Sequence, residues 1–341
     1  MIESLIESLP FPGLIVRDSL VAYANAAARA LLGGRIEGKD VRLVLRHPGA
    51  VELLTAPAIG SAEEVELVGI GDAERRWTMN VAPLDDGGLF VRLTDRSEAH
   101  AAERMRGDFV ANASHELRTP LATLVGYAET LREQGSALDG PTRERFTAIV
   151  HDEARRMQRL VEDLISLSRI EAEKYSLPQD DLDLLPIVEM ARASCRAFAE
   201  ERGSEVRIEA EPDLPAVAGD RAQMLQMIDN LIGNALRYGR RGTPVTIAAR
   251  AEGEMVRLTV SDEGEGIAAE HIPRLTERFY RADPSRSRAL GGTGLGLAIV
   301  KHIVERHRGR LSIESEVGKG TTVYVFLPAT NDIATEASPD Q

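Results

Sequence analysis

A chain of 341 residues exceeds one ordinary domain of roughly 100–200 residues and predicts two or three. Its 43% hydrophobic and 28% charged residues exclude a disordered or fibrous chain, and a formal net charge of −13 excludes a surface built to neutralise nucleic-acid phosphates. Cys195 is the only cysteine, so no intrachain disulfide forms; a small core residue in a reducing compartment is the expectation. No apolar run approaches the about 20 residues of a membrane span, and the acidic start MIESLIESLP lacks the pattern of a secretory leader. The expected location is therefore the cytoplasm, with no membrane span.

Residues 11–95 read as short strands and helices, closing in a β-hairpin of 76–83 and 89–93 around Asp85-Asp86-Gly87-Gly88. The pattern then changes. Phe109, Ala113, Leu117, Leu121, Leu124, Ala128 and Leu131 recur at steps of three and four, which is one face of a long helix. After a break at 135–141, Phe146, Val150, Met157, Leu160, Leu164 and Leu167 form a second such face. Two long amphipathic helices with a short connection predict an antiparallel hairpin, and a dimeric four-helix bundle is the expected way to bury both stripes. Beyond Leu177-Pro178, helical stretches at 184–203, 221–238 and 297–307 alternate with strands at 243–251, 255–261, 310–315 and 321–327, predicting an α/β layer sandwich. The expected fold class is thus multidomain α+β, divided into a sensor-like 1–96, a hairpin 97–177, a sandwich 178–330 and a frayed polar tail 331–341.

The first long helix is interrupted by a compact polar cluster, Ser114-His115-Glu116-Leu117-Arg118-Thr119-Pro120. An imidazole, with an ordinary pKa of about 6.5, is largely neutral at physiological pH and acts as a nucleophile. A carboxylate beside it orients the ring and takes its second proton as charge develops. Thr119 lies four residues on, hence on the same face, and Pro120 withholds a hydrogen bond from the Glu116 carbonyl, so a bend is expected there. A lone histidine here would read as a surface residue; the whole cluster reads as a site.

Four further motifs follow. Asn230, Asn234 and Tyr238 make an i, i+4, i+8 stripe opposite Leu225, Ile228, Leu231 and Ile232, offering oxygen donors for Mg²⁺ and a ring for a base. Asp262 ends an alternating strand and leads into Gly264, Gly266 and Ile267; its carboxylate suits an adenine amino group. Glu277-Arg278-Phe279-Tyr280-Arg281 runs into an Arg/Ser-rich stretch at 284–288. Gly291-Gly292-Thr293-Gly294-Leu295-Gly296 opens a helix, whose amides make an anion site. The dinucleotide fold would need a further glycine where Ile299 stands, and Gly318-Lys319-Gly320-Thr321 lacks the spacing of a P-loop. Taken singly, a polar helix face or an Asp/Gly turn accounts for each motif; in this order and spacing they point to one nucleotide site.

From His115 onward the sequence resembles the two-component sensor histidine kinases: the H box and its hairpin, then the N, G1, F and G2 boxes of the ATPase domain shared with gyrase, heat-shock chaperone and mismatch-repair ATPases. The resemblance covers residues 97–328. It implies that His115 accepts a γ-phosphoryl group, that Glu116 is the general base, and that Thr119 positions water for dephosphorylating a partner regulator. It implies ATP and Mg²⁺ as cofactors, with Asn230 on the metal. Around the nucleotide it sets Asn230, Asn234, Arg237, Tyr238, Asp262, Gly264, Gly266, Ile267, Phe279, Arg281, Gly292, Thr293, Gly294, Leu295, Gly296 and Thr321. Arg237 stands where lysine is common, and 274–276 is more polar than usual before the F box.

Residues 11–95 resemble a PAS domain through a strand at 14–16, Asp18, a second strand, Asn25 and a small-residue helix ending at Leu32-Gly33; at 92–96 an arginine replaces a common aspartate. This part reads equally as a sensor or as a ligand-free dimerising spacer, and His47 and His100 read as surface residues. With such a module in front, 109–131 and 160–171 resemble the phosphate-regulon sensor kinases most. The implied activity is autophosphorylation on His115 within a homodimer, then transfer to an aspartate of a separate response regulator, since no receiver segment remains, together with regulator phosphatase activity. The alternatives are an ATPase of the chaperone or topoisomerase kind, or a regulator-binding phosphatase or scaffold without kinase output.

Overall fold

The computed structural model describes residues 2–55, 64–72, 75–135, 137–173, 176–178, 180–283 and 291–330, and its chain divides into two compact units, Met1–Ala111 and Asn112–Gln341. The expectations for 284–288 and for the tail 331–341 lie outside the described residues. Among those described, no helix is long and apolar enough to cross a membrane.

The first unit holds α1 (Ile2–Glu7), β1 (Gly13–Arg17), β2 (Leu20–Ala24), α2 (Ala26–Leu32), α3 (Val41–Val44), α4 (Pro48–Thr55), β3 (Glu64–Val68), β4 (Arg76–Pro83) and β5 (Leu89–Asp95). The strands form one antiparallel sheet in the order β2-β1-β5-β4-β3. Asp18 and Ser19 both take positive φ, the twist that a two-residue hairpin between β1 and β2 demands. The β4–β5 hairpin stands where the turn residues predicted it. Strand β3 escaped the reading because its alternation is short, with Leu67 alone fully buried. Leu14, Val16, Val21, Trp77, Met79 and Leu93 belong to one core with Leu45 and Leu53 from the helical side. Asn25, also fully buried, is held at both ends of its amide: Oδ1 accepts from the Gly13 and Ala28 amides at 3.0 and 2.9 Å, and Nδ2 donates to the Phe11 carbonyl at 2.8 Å. It thereby caps α2 and ties it to β1. His47 and His100 are half-buried rather than on the surface, each with a buried Nδ1 that has no hydrogen-bond partner among the described residues.

Helix α5 (Ser97–Gln134) passes from the first unit into the second and runs unbroken through Pro120. Asp139 accepts from the Thr142 amide at 2.7 Å and starts α6 (Gly140–Ala172). There follow β6 (Asp180–Leu182), α7 (Leu184–Ser194), α8 (Arg196–Arg202), β7 (Val206–Ala210), β8 (Val217–Gly219), α9 (Arg221–Tyr238), β9 (Val245–Glu252), β10 (Met255–Asp262), α10 (Gly296–Arg306), β11 (Arg310–Glu316) and β12 (Gly320–Pro328). The main sheet has the order β11-β12-β10-β9-β7, antiparallel except for β7 against β9. Helices α7 and α10 pack on α9, and α9 packs on β9 and β10, giving the predicted two layers. The stretch 184–203 is two helices, not one. They meet at Cys195, whose amide caps the end of α7 and which is half-buried at the junction instead of lying in the core.

Candidate active site

In the second unit a cavity of about 330 Å³ opens between α9, the end of β10 and the start of α10. Asp220 caps α9 by accepting from the Ala222 and Gln223 amides, and the helix buries Met224, Met227, Ile228, Leu231 and Ile232. That leaves Asn230, Asn234, Arg237 and Tyr238 on the cavity wall. Asn230 Nδ2 donates to the Gln226 carbonyl at 3.0 Å, and a Cβ on Gly296 would stand 2.8 Å from Asn230 Oδ1, so the amide oxygen abuts a position that must lack a side chain. Arg237 Nη1 donates to Asn234 Oδ1 at 3.2 Å; burial pulls the Arg237 pKa down.

Asp262 Oδ1 accepts from the Gly264 amide at 2.8 Å, and burial raises its pKa. Thr321 is its partner across the β10–β12 ladder, and Ser315 of β11 joins Thr321 Oγ1 at 2.8 Å to the Ile267 amide, in the loop after β10, at 2.8 Å. Gly266 has φ of +70°, and a Cβ would come 2.0 Å from the Glu316 carbonyl, so only glycine fits. Val260, Ile267, Ile313 and Val323 add an apolar wall next to this carboxylate. A flat base with an exocyclic amine suits such a slot.

Phe279 takes φ of +64° and donates its amide to the Gly294 carbonyl at 2.8 Å; a Cβ on Gly294 would be 2.9 Å from Phe279 Cα. The F-box and G2 backbones thus lock together by close approach. Gly292, Thr293, Gly294 and Gly296 line the cavity, whereas Phe279, Gly264 and Leu295 do not. Leu295 is fully buried, and its amide donates to Thr293 Oγ1 at 3.3 Å.

His115 and Thr119 are exposed on α5, and the Thr119 hydroxyl donates to the His115 carbonyl at 3.4 Å. Neither lines the cavity. Glu116 connects their cluster to it: Arg281, 7% exposed, grips the Glu116 carboxylate with Nη1 and Nη2 at 3.3 and 2.8 Å, and Nη2 also donates to the Gly292 and Thr293 carbonyls at 3.0 Å each. Arg281 lines the cavity as the motif predicted, with Glu116 as a partner that the motif did not announce. Sequence reasoning also missed the wall supplied by α6, namely Arg159, Glu162 and Asp163. Thr293 Oγ1 donates to Asp163 Oδ2 at 2.8 Å across 130 residues, and burial raises the Asp163 pKa. The visible signal was a carboxylate flanking the Leu160–Leu164–Leu167 stripe; its partner lay too far away in sequence to be read.

An adenine nucleotide fits these residues: an apolar slot ending in a carboxylate, glycines that leave room for phosphates, and the N-terminus of α10. For a hard cation the donors are amide oxygens on α9, and among the described residues no group of three or more His, Cys, Asp or Glu stands ready for a metal, so Mg²⁺ would share its shell with phosphate oxygens.

A helical phosphoacceptor hairpin followed by an ATPase layer defines the class. Residues 105–173 match the His Kinase A (phospho-acceptor) domain, and 219–331 match the Histidine kinase-, DNA gyrase B-, and HSP90-like ATPase. The chain is 35% identical over 316 residues to the phosphate regulon sensor protein PhoR of Pseudomonas aeruginosa, spanning 92% of this chain and 70% of that one. It is 41% identical over 317 residues to the sensor-like histidine kinase SenX3 of Mycobacterium tuberculosis, spanning 93% and 72%. The histidine kinase AdeS of Acinetobacter baumannii aligns with a TM-score of 0.52 at 25% identity over 64% of this chain and 98% of that one. The ThkA histidine kinase, solved in complex with the response regulator TrrA, shares the fold with a TM-score of 0.52 at 19% identity over 96% and 98%. The chain belongs to the two-component sensor histidine kinases and is a protein-histidine kinase with homologues of the PhoR and SenX3 kind.

Proposed function

We propose that this kinase phosphorylates His115 with the γ-phosphoryl group of ATP and passes it to an aspartate of a separate response regulator. The observation that carries the assignment is the Arg281–Glu116 pair, which joins the His115 cluster to the nucleotide cavity. Bound ATP with Mg²⁺ supplies the phosphoryl group and neutralises phosphate charge. His115 forms the P–N bond through one ring nitrogen while the electron pair of the broken P–O bond leaves with ADP. Glu116 takes the proton from the second ring nitrogen, so the phosphoimidazole ends neutral at the ring. Arg281 and Arg237 would face the phosphates, Asn230 would hold the metal, and Asp262 would accept from the adenine amine. Thr119, on the His115 face, orients water for the reverse, regulator-dephosphorylating reaction.

Partner and domain readings belong with this proposal. Leu121, Val125, Val161 and Ile165 of the hairpin are 49, 45, 42 and 55% exposed in the single chain, an apolar surface that a second copy would cover in a four-helix bundle. The complex of ThkA with TrrA supports a receiver domain as the acceptor. The sheet order of the first unit supports a PAS-like module over 1–96, ahead of a hairpin over 97–177 and an ATPase domain over 178–330. Incubation with γ-labelled ATP is expected to give an acid-labile, base-stable label that is lost in His115→Ala. Retention of that label in the variant would refute the assignment.

A further inference from the structure

We propose that Arg156 is a positioning residue that keeps Glu116 aimed at His115 during phosphoryl transfer; this rests on the reading of Glu116 as the general base. Arg156 lies on α6 with its side chain 14% exposed, and its Nη2 is 3.7 Å from Glu116 Oε2 on α5. Its Nη1 is 3.7 Å from Glu153 Oε2, one turn earlier on the same helix, and that oxygen is buried without a hydrogen-bond partner among the described residues. A simple helix-surface pair accounts for the Glu153 contact. It does not account for a guanidinium taken out of water and turned across to the neighbouring helix.

The competing cation explains why Glu116 needs Arg156. Arg281 Nη2 holds the same Glu116 oxygen at 2.8 Å and belongs to the F-box segment. One guanidinium fork engages one planar anion at a time in bidentate fashion. When Arg281 turns toward the phosphates it must release Glu116, whereas Arg156 stays, because α5 and α6 form one hairpin. At 3.7 Å the Arg156–Glu116 pair sits about 1 Å beyond a charge-assisted hydrogen bond, room to tighten once Arg281 leaves. Glu116 is thus handed from a cation of the ATPase layer to a cation of its own hairpin. Its carboxylate is held for the proton of His115 instead of sampling solvent rotamers. Arg156 itself neither gives nor takes the proton.

The test is steady-state autophosphorylation of the full chain in Arg156→Gln, Arg156→Lys, Glu116→Gln and the Arg156→Gln/Glu116→Gln pair. Arg156→Gln is expected to lower kcat about tenfold with KM for ATP unchanged within about twofold. Arg156→Lys should recover most of the rate, and the double variant should be no slower than Glu116→Gln alone. Should Arg156→Gln fail to fold, judged by its melting curve and ADP binding, Arg156→Met keeps the aliphatic stem and carries the same comparison. A rise in KM in place of the fall in kcat, or losses that multiply in the double variant, overturns the positioning role alone. A Glu116→Gln enzyme as fast as the wild type overturns the base reading and the proposal with it.

Discussion

His307 shows how a single ring is specified by two bonds. Its Nε2 accepts from the Asp220 amide at 3.1 Å and its Nδ1 donates to the Ile303 carbonyl at 2.7 Å, so the neutral tautomer is set by the backbone on both sides. Burial lowers its pKa, as it does for His302 on α10, the helix that His307 terminates. A histidine whose folded pKa lies below its unfolded value contributes stability that is fully present above about pH 6.5 and is lost as pH falls from there. Melting temperature is therefore expected to drop between about pH 7 and 5, and His307→Gln, which cannot titrate, should flatten that dependence. Thermal unfolding followed across this range checks it; an unchanged slope in the variant would discard His307 as the source. The proposed phosphoacceptor, His115, is by contrast exposed on α5.

Helices show a second division of labour. Helix α6 buries Leu160, Leu167 and Ile170 and packs along α10, yet leaves Val161 and Ile165 open to solvent in the single chain. One face therefore belongs to the ATPase layer, and the other is the face that the proposed four-helix bundle covers. Ile165→Glu puts a charge on the open face while sparing the buried one. It is expected to convert the dimer to a monomer in light scattering with its helicity kept, and a stable dimer in that variant would count against the bundle. Helix periodicity was legible in advance for this reason: α9 covers the predicted 221–238, and α10 departs from its prediction by a residue at each end. Strand β7 was missed although Val206, Ile208 and Ala210 alternate with charged residues, because five residues carry too little pattern to outweigh loop-like flanks. The division at Cys195 was missed for a different reason: apolar and helix-favouring residues run on through it, and the break depends on how α7 and α8 pack.

At the scale of the second unit, the hairpin and the ATPase layer are joined by polar links. Arg281 grips Glu116, Thr293 bonds Asp163, Arg278 pairs with Glu171, Ser166 Oγ donates to Gln226 Oε1 at 2.8 Å, and Arg306 holds Glu173 at 3.0 Å. The ion pairs made with the more exposed carboxylates, Glu171 and Glu173, are each worth about 1 kcal/mol or less and are screened by salt. These polar links flank the apolar contact of α6 with α10, so weakening them loosens one part of the seam, as the proposed visit of the ATPase layer to His115 requires. Raising ionic strength to about 1 M, where the screening length falls to about 3 Å, is expected to increase the radius of gyration in small-angle scattering, with circular dichroism unchanged. A salt-independent radius would mean that apolar packing between α6 and α10 holds the seam instead.

The amino-acid sequence alone determined the local chemistry of this protein. Helical spacing set His115, Glu116 and Thr119 along one helix and Asn230 and Asn234 along another, and the glycines at 266 and 294 mark backbone that no side chain could enter. Those features depend on neighbours within a few residues, so they are visible in a string of letters. Only the tertiary structure decided which charges face one another. Arg281 meets Glu116 across 165 residues and Asp163 meets Thr293 across 130, and nothing in the spacing selects those partners. An ion pair is chosen by distance in three dimensions, and that distance exists only once the hairpin and the sheet layer have packed.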